Sequence, residues 1–202
     1  MGFKVPDDVD YIAVNHASWD TLAELHYHDE NDWYKIKGFL DGEDRRAPID
    51  IELMGELTGK RVLHSQCHFG LDTLSAARFA DSVVGLDFSE NAIRNATELA
   101  QRAGLADKAS FVCANVYDAG KVLEAASFDM IYASWGVTGW LQDLQGWAST
   151  LCGLLKPGGS FVYAEGHPFA WTLDEEDGVQ VGHLRALSPY WQNQAIIEEW
   201  PE

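Results

Sequence analysis

The chain has 202 residues, 47% of them hydrophobic, which is enough for one domain with a sizeable core. Acids outnumber bases by 32 to 14, for a formal charge of -18. So acidic a surface repels phosphate backbones and anionic headgroups, which argues against nucleic acid or an anionic membrane as partner and leaves a well-solvated surface as the plain reading.

No apolar run is long enough to cross a bilayer, and the first ten residues are polar and acidic rather than signal-like. The three cysteines (Cys67, Cys113, Cys152) show no pairing pattern, so reduced thiols in a cytoplasmic protein are expected.

Residues 1–58 are rich in aromatics and acids and predict a helical layer over one edge of a sheet. A helix over 15–28 places Trp19, Leu22, Ala23 and His26 on one face. A second short helix is expected within 32–40, and a third from Pro48 to about position 57. Residues 61–65 form an apolar β-type run, 66–70 a tight turn, and 71–80 a helix with Leu71, Leu74 and Ala77 on one side. Residues 82–86 form the next strand, with Asp87 at its end. Ser89 caps a helix running to about position 103. Strands follow at 109–114 and 128–134, with a short helix or turn over 117–125 between them. An amphipathic helix is expected over 140–155, with Trp140, Leu144, Trp147, Ala148, Leu151 and Leu155 inward. Lys156-Pro157-Gly158-Gly159 reads as a turn before a strand over 160–165.

Strand and helix alternate, so the expected class is α/β: a Rossmann-like, mainly parallel sheet with helices on both faces. Right-handed crossovers bring every strand C-terminus to one edge, where ligands bind. That edge carries Ser65, Gln66, Cys67, His68 and Gly70, then Asp87, Phe88 and Ser89, then Asn115 and Val116, then Ser134 and Trp135. A carboxylate just after the second strand suits a ribose diol. The dinucleotide fingerprint G-x-G-x-x-G is missing, since only Gly70 stands in the first turn, and this counts against NAD or FAD.

The series L-x-x-x-C-x-x-G, V-x-G-x-D-x-S, F-x-x-A-N, F-D-x-I-x-x-S and L-L-K-P-G-G resembles class I S-adenosylmethionine-dependent methyltransferases over roughly residues 59–166. The stretch H-x-Q-C-H-F-G-x-D-T-L, with N-x-x-x-W-D upstream and E-x-H-P downstream, resembles a bacterial subgroup of that family.

The resemblance implies S-adenosylmethionine as cofactor, a small-molecule acceptor, and in-line displacement at the sulfonium methyl. It assigns Asp87 to the ribose and the backbone at Ser65, Gln66 and Gly70 to the amino-acid end. Asn115 and Val116 frame the adenine, and Ser134 and Trp135 offer further contacts. The family's usual first loop is D-x-G-x-G-x-G. Here His64, Gln66 and His68 stand at three of those positions, and their Cβ atoms are expected to deny the loop part of glycine's torsional range.

Asn115 replaces the family's usual acid and keeps a carbonyl for an adenine amino group. The family's closing helix and strand pair have no evident counterpart in 167–202, so the C-terminal strands look missing.

His167 is the leading candidate for a general base, ahead of His16, His26 and Glu165. Trp19, Tyr34 and Trp140 are candidate walls of an acceptor site or core residues of the lid. His64, Cys67 and His68 do not match a zinc spacing, so no metal is expected. Two rivals stay open: an NAD(P)-dependent oxidoreductase, and a methyltransferase-like domain that binds without turnover.

Overall fold

The computed structural model describes residues 9–167 and 169. The stretch 167–202, in which the family's closing strands were expected to be missing, therefore falls mostly outside the described residues. The chain divides into two compact units, one of residues 12–165 and one made of 1–11 with 166–202.

The larger unit is built on five parallel strands: β1 (Arg61–Ser65), β2 (Ser82–Asp87), β3 (Ala109–Cys113), β4 (Phe128–Ser134) and β5 (Leu155–Ala164). Their order is β3-β2-β1-β4-β5. Strand order reverses at β1, which lies between β2 and β4, and such a switch point opens a crevice at the C-terminal edge.

The helices are α1 (Tyr11–Tyr27), α2 (Ile36–Leu40), α3 (Pro48–Met54), α4 (Leu71–Ala77), α5 (Glu90–Arg102), α6 (Ala119–Val122) and α7 (Leu144–Leu154). Successive strand residues point to opposite faces, so each strand feeds two cores. Val62, Val83, Met130 and Tyr132 pack with Tyr27, Phe39, Met54, Leu74 and Leu99 from α1 through α5. Leu63, Val84, Leu86 and Ile131 pack on the other face with Ala119, Trp147, Leu151 and Leu154. This is the two-layered cover that the alternation predicts.

Two stretches differ from expectation. The helix expected over 140–155 begins only at Leu144, because the Asp143 carboxylate accepts from the Gly146 N–H at 2.8 Å and caps it there. Trp140 sits instead in a 3₁₀ turn, Thr138–Trp140, and is partly exposed. Leu144 and Ala148 face solvent, whereas Trp147 and Leu151 are buried as expected.

The Lys156-Pro157-Gly158-Gly159 turn is absorbed into β5 as an irregularity. Phe128 pairs with Leu155, and the next match, Met130, pairs with Ser160.

Candidate cofactor and acceptor site

The first loop carries the least expected geometry. Gln66, His68 and Gly70 have φ of 57°, 51° and 74°, so every second residue is left-handed. The two side-chain-bearing residues follow a left-handed backbone after all, contrary to the sequence expectation. Each left-handed non-glycine costs about 1–2 kcal/mol, and local bonds offset it. The Gln66 Oε1 accepts from Ser65 Oγ at 2.9 Å and from the Trp147 indole at 3.0 Å. The His68 N–H donates to Asp87 Oδ2 at 2.8 Å, and its Nε2 pairs with His26 Nδ1 at 3.1 Å.

Gly70 has no such latitude. A Cβ there would lie 2.6 Å from the Phe111 ring, which also packs 2.6 Å from where a Cβ on Gly85 would stand. Phe111 of β3 thus seals the loop against β2.

Asp87 ends β2 and is 8% exposed. Its second oxygen accepts from the Ser89 N–H at 3.0 Å. Burial pushes its carboxyl up, opposed by the N–H groups of Ser89, His68 and Phe88. A carboxylate has about four acceptor positions, so Asp87 is oriented by the loop and keeps capacity for a diol.

Ser89 is the N-cap of α5, accepting from Ala92 N–H at 3.0 Å and donating to Asp20 Oδ1 at 2.7 Å. Asp20 also accepts from the Asn91 N–H at 2.9 Å and the Asn91 side chain at 2.8 Å. Burial works against the Asp20 charge, and the bonds from Asn91 and Ser89 outweigh it, holding the carboxyl below its ordinary range.

This explains the N-x-x-x-W-D stretch. Asn15 donates to the Trp140 carbonyl at 3.3 Å, Trp19 meets Trp140 and His68 edge-on, and Asp20 fastens α1 to the start of α5. The spacing was visible in the sequence, but its partners, 71 and 125 residues away, were not.

Other expected site residues take structural duties. The Cys67 thiol is buried against Gly85, and burial pushes it well up, so it is a packing group and not a nucleophile. Its N–H and carbonyl are engaged by Leu86 and Gly70. Asn115 accepts from the Tyr117 N–H at 3.0 Å as the cap of a 3₁₀ turn, and Val116 is core. Phe88 is half-buried beside His16, at a ring separation of 5.3 Å.

His64 is buried on Tyr132, bonded to Thr73 at 2.8 Å and held down to about 3 by burial. Among the described residues no cluster fit to hold a metal occurs.

Of the candidate bases, Glu165 is committed to the loop after β4, where it accepts from the N–H groups of Gly136, Val137 and Thr138 at 2.6, 2.7 and 3.1 Å. His16 pairs with Glu90 at 2.9 Å. His26 lies between His68 and Tyr34, whose hydroxyl is 3.0 Å from its Nδ1. Burial lowers His26, and burial with His26 beside it holds His68 down to about 3. Burial, then the Asp72 charge, pushes Tyr34 up to about 12. His167 belongs to the second unit, where its Nδ1 accepts from the Phe169 N–H at 3.1 Å.

Sequence inspection missed Asp50, Asp72 and Tyr132. The Asp50 Oδ2 accepts from the Trp135 indole at 2.7 Å and from the Ala47 N–H at 3.2 Å. Tyr132 follows the inward alternation of β4, but nothing in the sequence links it to an acid in α3.

A family model described as a methyltransferase domain matches residues 63–163, half of the chain. The chain belongs to that family. It is similar to a sterol 24-C-methyltransferase of Aspergillus fumigatus, at 36% identity over 74% of this chain and 43% of that protein. The chain thus spans less than half the length of the curated relatives it matches.

Among solved structures, an S-adenosylmethionine-dependent methyltransferase from Mesorhizobium loti shares 27% identity and a TM-score of 0.54, covering 67% of this chain and 58% of that one. A geranyl diphosphate C-methyltransferase from Streptomyces coelicolor shares the fold, with a TM-score of 0.61, 16% identity, and coverage of 82% and 71%. Among the described residues no helix is long and apolar enough to cross a membrane.

Proposed function

We propose that this chain binds S-adenosylmethionine across the C-terminal edge of β1, β2 and β4 and directs its methyl group to a small-molecule acceptor by in-line displacement. The observation that carries this is Asp87: a buried carboxylate at the end of β2, aimed by two backbone N–H groups beside a left-handed first loop. When bound, the cofactor supplies a methyl group already activated on a sulfonium. Asp87 would hold the ribose hydroxyls, and the backbone of Ser65, Gln66 and Gly70 the amino-acid end. Phe88, Ser89, Asn115 and Val116 would frame the base, with Ser134 and Trp135 closing the far side.

The catalytic work left to the protein is positioning and exclusion of water. The aromatic wall of Trp19, Tyr34 and Trp140 supports a small acceptor, and the relatives named for sterol and geranyl diphosphate methylation favour the same class. The H-x-Q-C-H-F-G loop supports membership of a bacterial subgroup with its own version of the glycine loop. Three free thiols favour a reducing, cytoplasmic setting. His167 is the proposed base where the acceptor is protonated.

Calorimetric titration with S-adenosylhomocysteine and with NADH tests this reading. Stoichiometric binding of the first and silence for the second is the expected result. NADH binding, or no binding of either, overturns it.

A further inference from the structure

The side chain of His68 reaches out of the first loop into the N-terminal layer. Its Nε2 lies 3.1 Å from His26 Nδ1, and that same nitrogen lies 3.0 Å from the Tyr34 hydroxyl. One ring nitrogen on α1 therefore serves two neighbours, one in the loop and one just before α2. Trp19, about two turns earlier on α1, meets the His68 ring edge-on at 5.6 Å. Tyr34 packs against Phe69, the next loop residue, at 5.0 Å. Burial, joined at His68 by the neighbouring His26, holds both imidazoles below their ordinary range, so the pair is neutral at pH 7.

Both ends of this series of contacts rest on left-handed backbone. At one end His68 has a φ of 51°, and its N–H donates to Asp87 Oδ2 at 2.8 Å. At the other, Asp32 and Lys35 have φ of 51° and 56° on either side of Tyr34. Carboxylates fix that turn: Asp29 Oδ2 accepts from the Trp33 N–H at 2.9 Å, and Asp32 Oδ1 from the Ile36 N–H at 2.7 Å. Such torsions come freely to glycine and are resisted by other residues. They persist where the surroundings hold them, and they cluster where a ligand is gripped. For His68 those surroundings are His26 and Tyr34. Asp87 is thereby joined to the N-terminal layer through a single histidine.

We propose that His26 and Tyr34 are positioning residues for cofactor binding: hydrogen-bonded through one shared nitrogen to the His68 side chain, they hold the first loop, and the His68 N–H that aims Asp87, in the binding conformation. The inference rests on the methyltransferase reading and deepens it, because it gives the N-terminal layer a part in cofactor affinity that needs no contact with the cofactor.

Three variants test it. His26→Leu removes the shared nitrogen, and Tyr34→Phe removes only a hydroxyl. His26→Asn places an amide, which both donates and accepts, near the position of Nδ1. Circular dichroism and melting temperature establish that each is folded. Each is titrated with S-adenosylhomocysteine, and His26→Leu and Tyr34→Phe are titrated again in a His68→Ala background. Exchange of the His68 amide hydrogen is followed by NMR without ligand.

Affinity for S-adenosylhomocysteine should fall about threefold to tenfold in His26→Leu, the net worth of one hydrogen bond, and by less in Tyr34→Phe. His26→Asn should recover most of it. In the His68→Ala background neither change should matter further, because both act through that side chain. Unchanged affinity in both His26→Leu and Tyr34→Phe overturns the proposal, and so does an equal loss with and without the His68 side chain. No recovery in His26→Asn overturns it as well, since ring packing rather than the shared nitrogen would then hold the loop. If His26→Leu does not fold, Tyr34→Phe decides by the same criteria. Wild-type failure to bind S-adenosylhomocysteine overturns the methyltransferase reading instead. Amide exchange then decides: faster exchange at His68 in His26→Leu and Tyr34→Phe, with recovery in His26→Asn, upholds the positioning of the loop, and unchanged exchange overturns it.

Discussion

The two sides of the crevice are built on opposite principles. At the β1–β2 corner, Asp87 bonds to His68 and Ser89, Ser89 to Asp20, and Asp20 to Asn91. Three of these four bonds tie one chain segment to another, so the corner is preorganised before any ligand arrives. At the β4 side, Asp50 of α3 and the Tyr132 hydroxyl are buried as a donor–acceptor pair with Ser134 beside them. The contrast separates a corner knit from several segments from one isolated buried contact. It also predicts different mutational signatures, in which the first corner loses stability and affinity together and the second loses a little stability alone.

Asp87→Ala should show the largest effect. It strands the N–H groups of His68 and Ser89, at about 1–3 kcal/mol each, and removes the ribose acceptor. Urea unfolding should report that loss, and S-adenosylhomocysteine affinity should fall by about tenfold or more. Wild-type affinity would take Asp87 out of the cofactor site and leave it a structural acid.

Asp20→Ala comes next. It releases the Ser89 hydroxyl and the Asn91 N–H from α1, while the Asn91 side chain keeps only its bond to the Asp20 carbonyl. A loss of about 1–3 kcal/mol is expected. Because α1 also carries Trp19, acceptor KM should rise more than cofactor Kd. Equal shifts in both would mean that α1 serves the cofactor corner only.

The pH dependence of stability adds a test of burial. His64 and His68 lie at about 3, against an ordinary 6.5. For a depressed imidazole the unfolded chain binds the proton more readily. Its stabilising share is therefore complete above 6.5 and is lost as pH falls below that. Asp72, raised to about 7, acts oppositely: its share is complete below the ordinary carboxylate range and is lost as pH rises toward 7.

Between pH 6.5 and 4.5 two imidazoles oppose one carboxyl. The net of these three is a loss of about 1.4 kcal/mol per unit of acidification. Urea midpoints measured across that range should show it, and His64→Leu should flatten the slope. An unchanged slope in that variant would mean that His64 is not held neutral.

Local rules made the sheet legible. Short apolar runs marked β1, β2 and β4, Ser89 was readable as a cap, and Asp87 stood where a parallel strand must end. Trp140 misled because helical spacing was extended through Asp143, whose carboxylate starts α7 afresh. The first loop misled for another reason. Torsional preference disfavours left-handed Gln66 and His68, but their stabilising partners, Trp147 and His26, lie 81 and 42 residues away in sequence. The Asp50–Tyr132 juxtaposition was illegible on the same ground. Two residues on different elements, each ordinary alone, acquire meaning only when folding brings them together.

The smallest expected effect falls on the β4 side. Tyr132→Phe keeps the ring, its packing on His64 at 4.6 Å and its volume, and removes only the hydroxyl that lies against Asp50 and Ser134. Losing one buried hydrogen bond without opening a cavity should cost the ligand-free protein about 0.5–1.5 kcal/mol. Thermal and urea unfolding of the two proteins, without any ligand, would measure it. Unchanged or raised stability would mean instead that the hydroxyl and the Asp50 carboxylate stand unpaired in the free protein, and the β4 side would then be incomplete where the Asp87 corner is not.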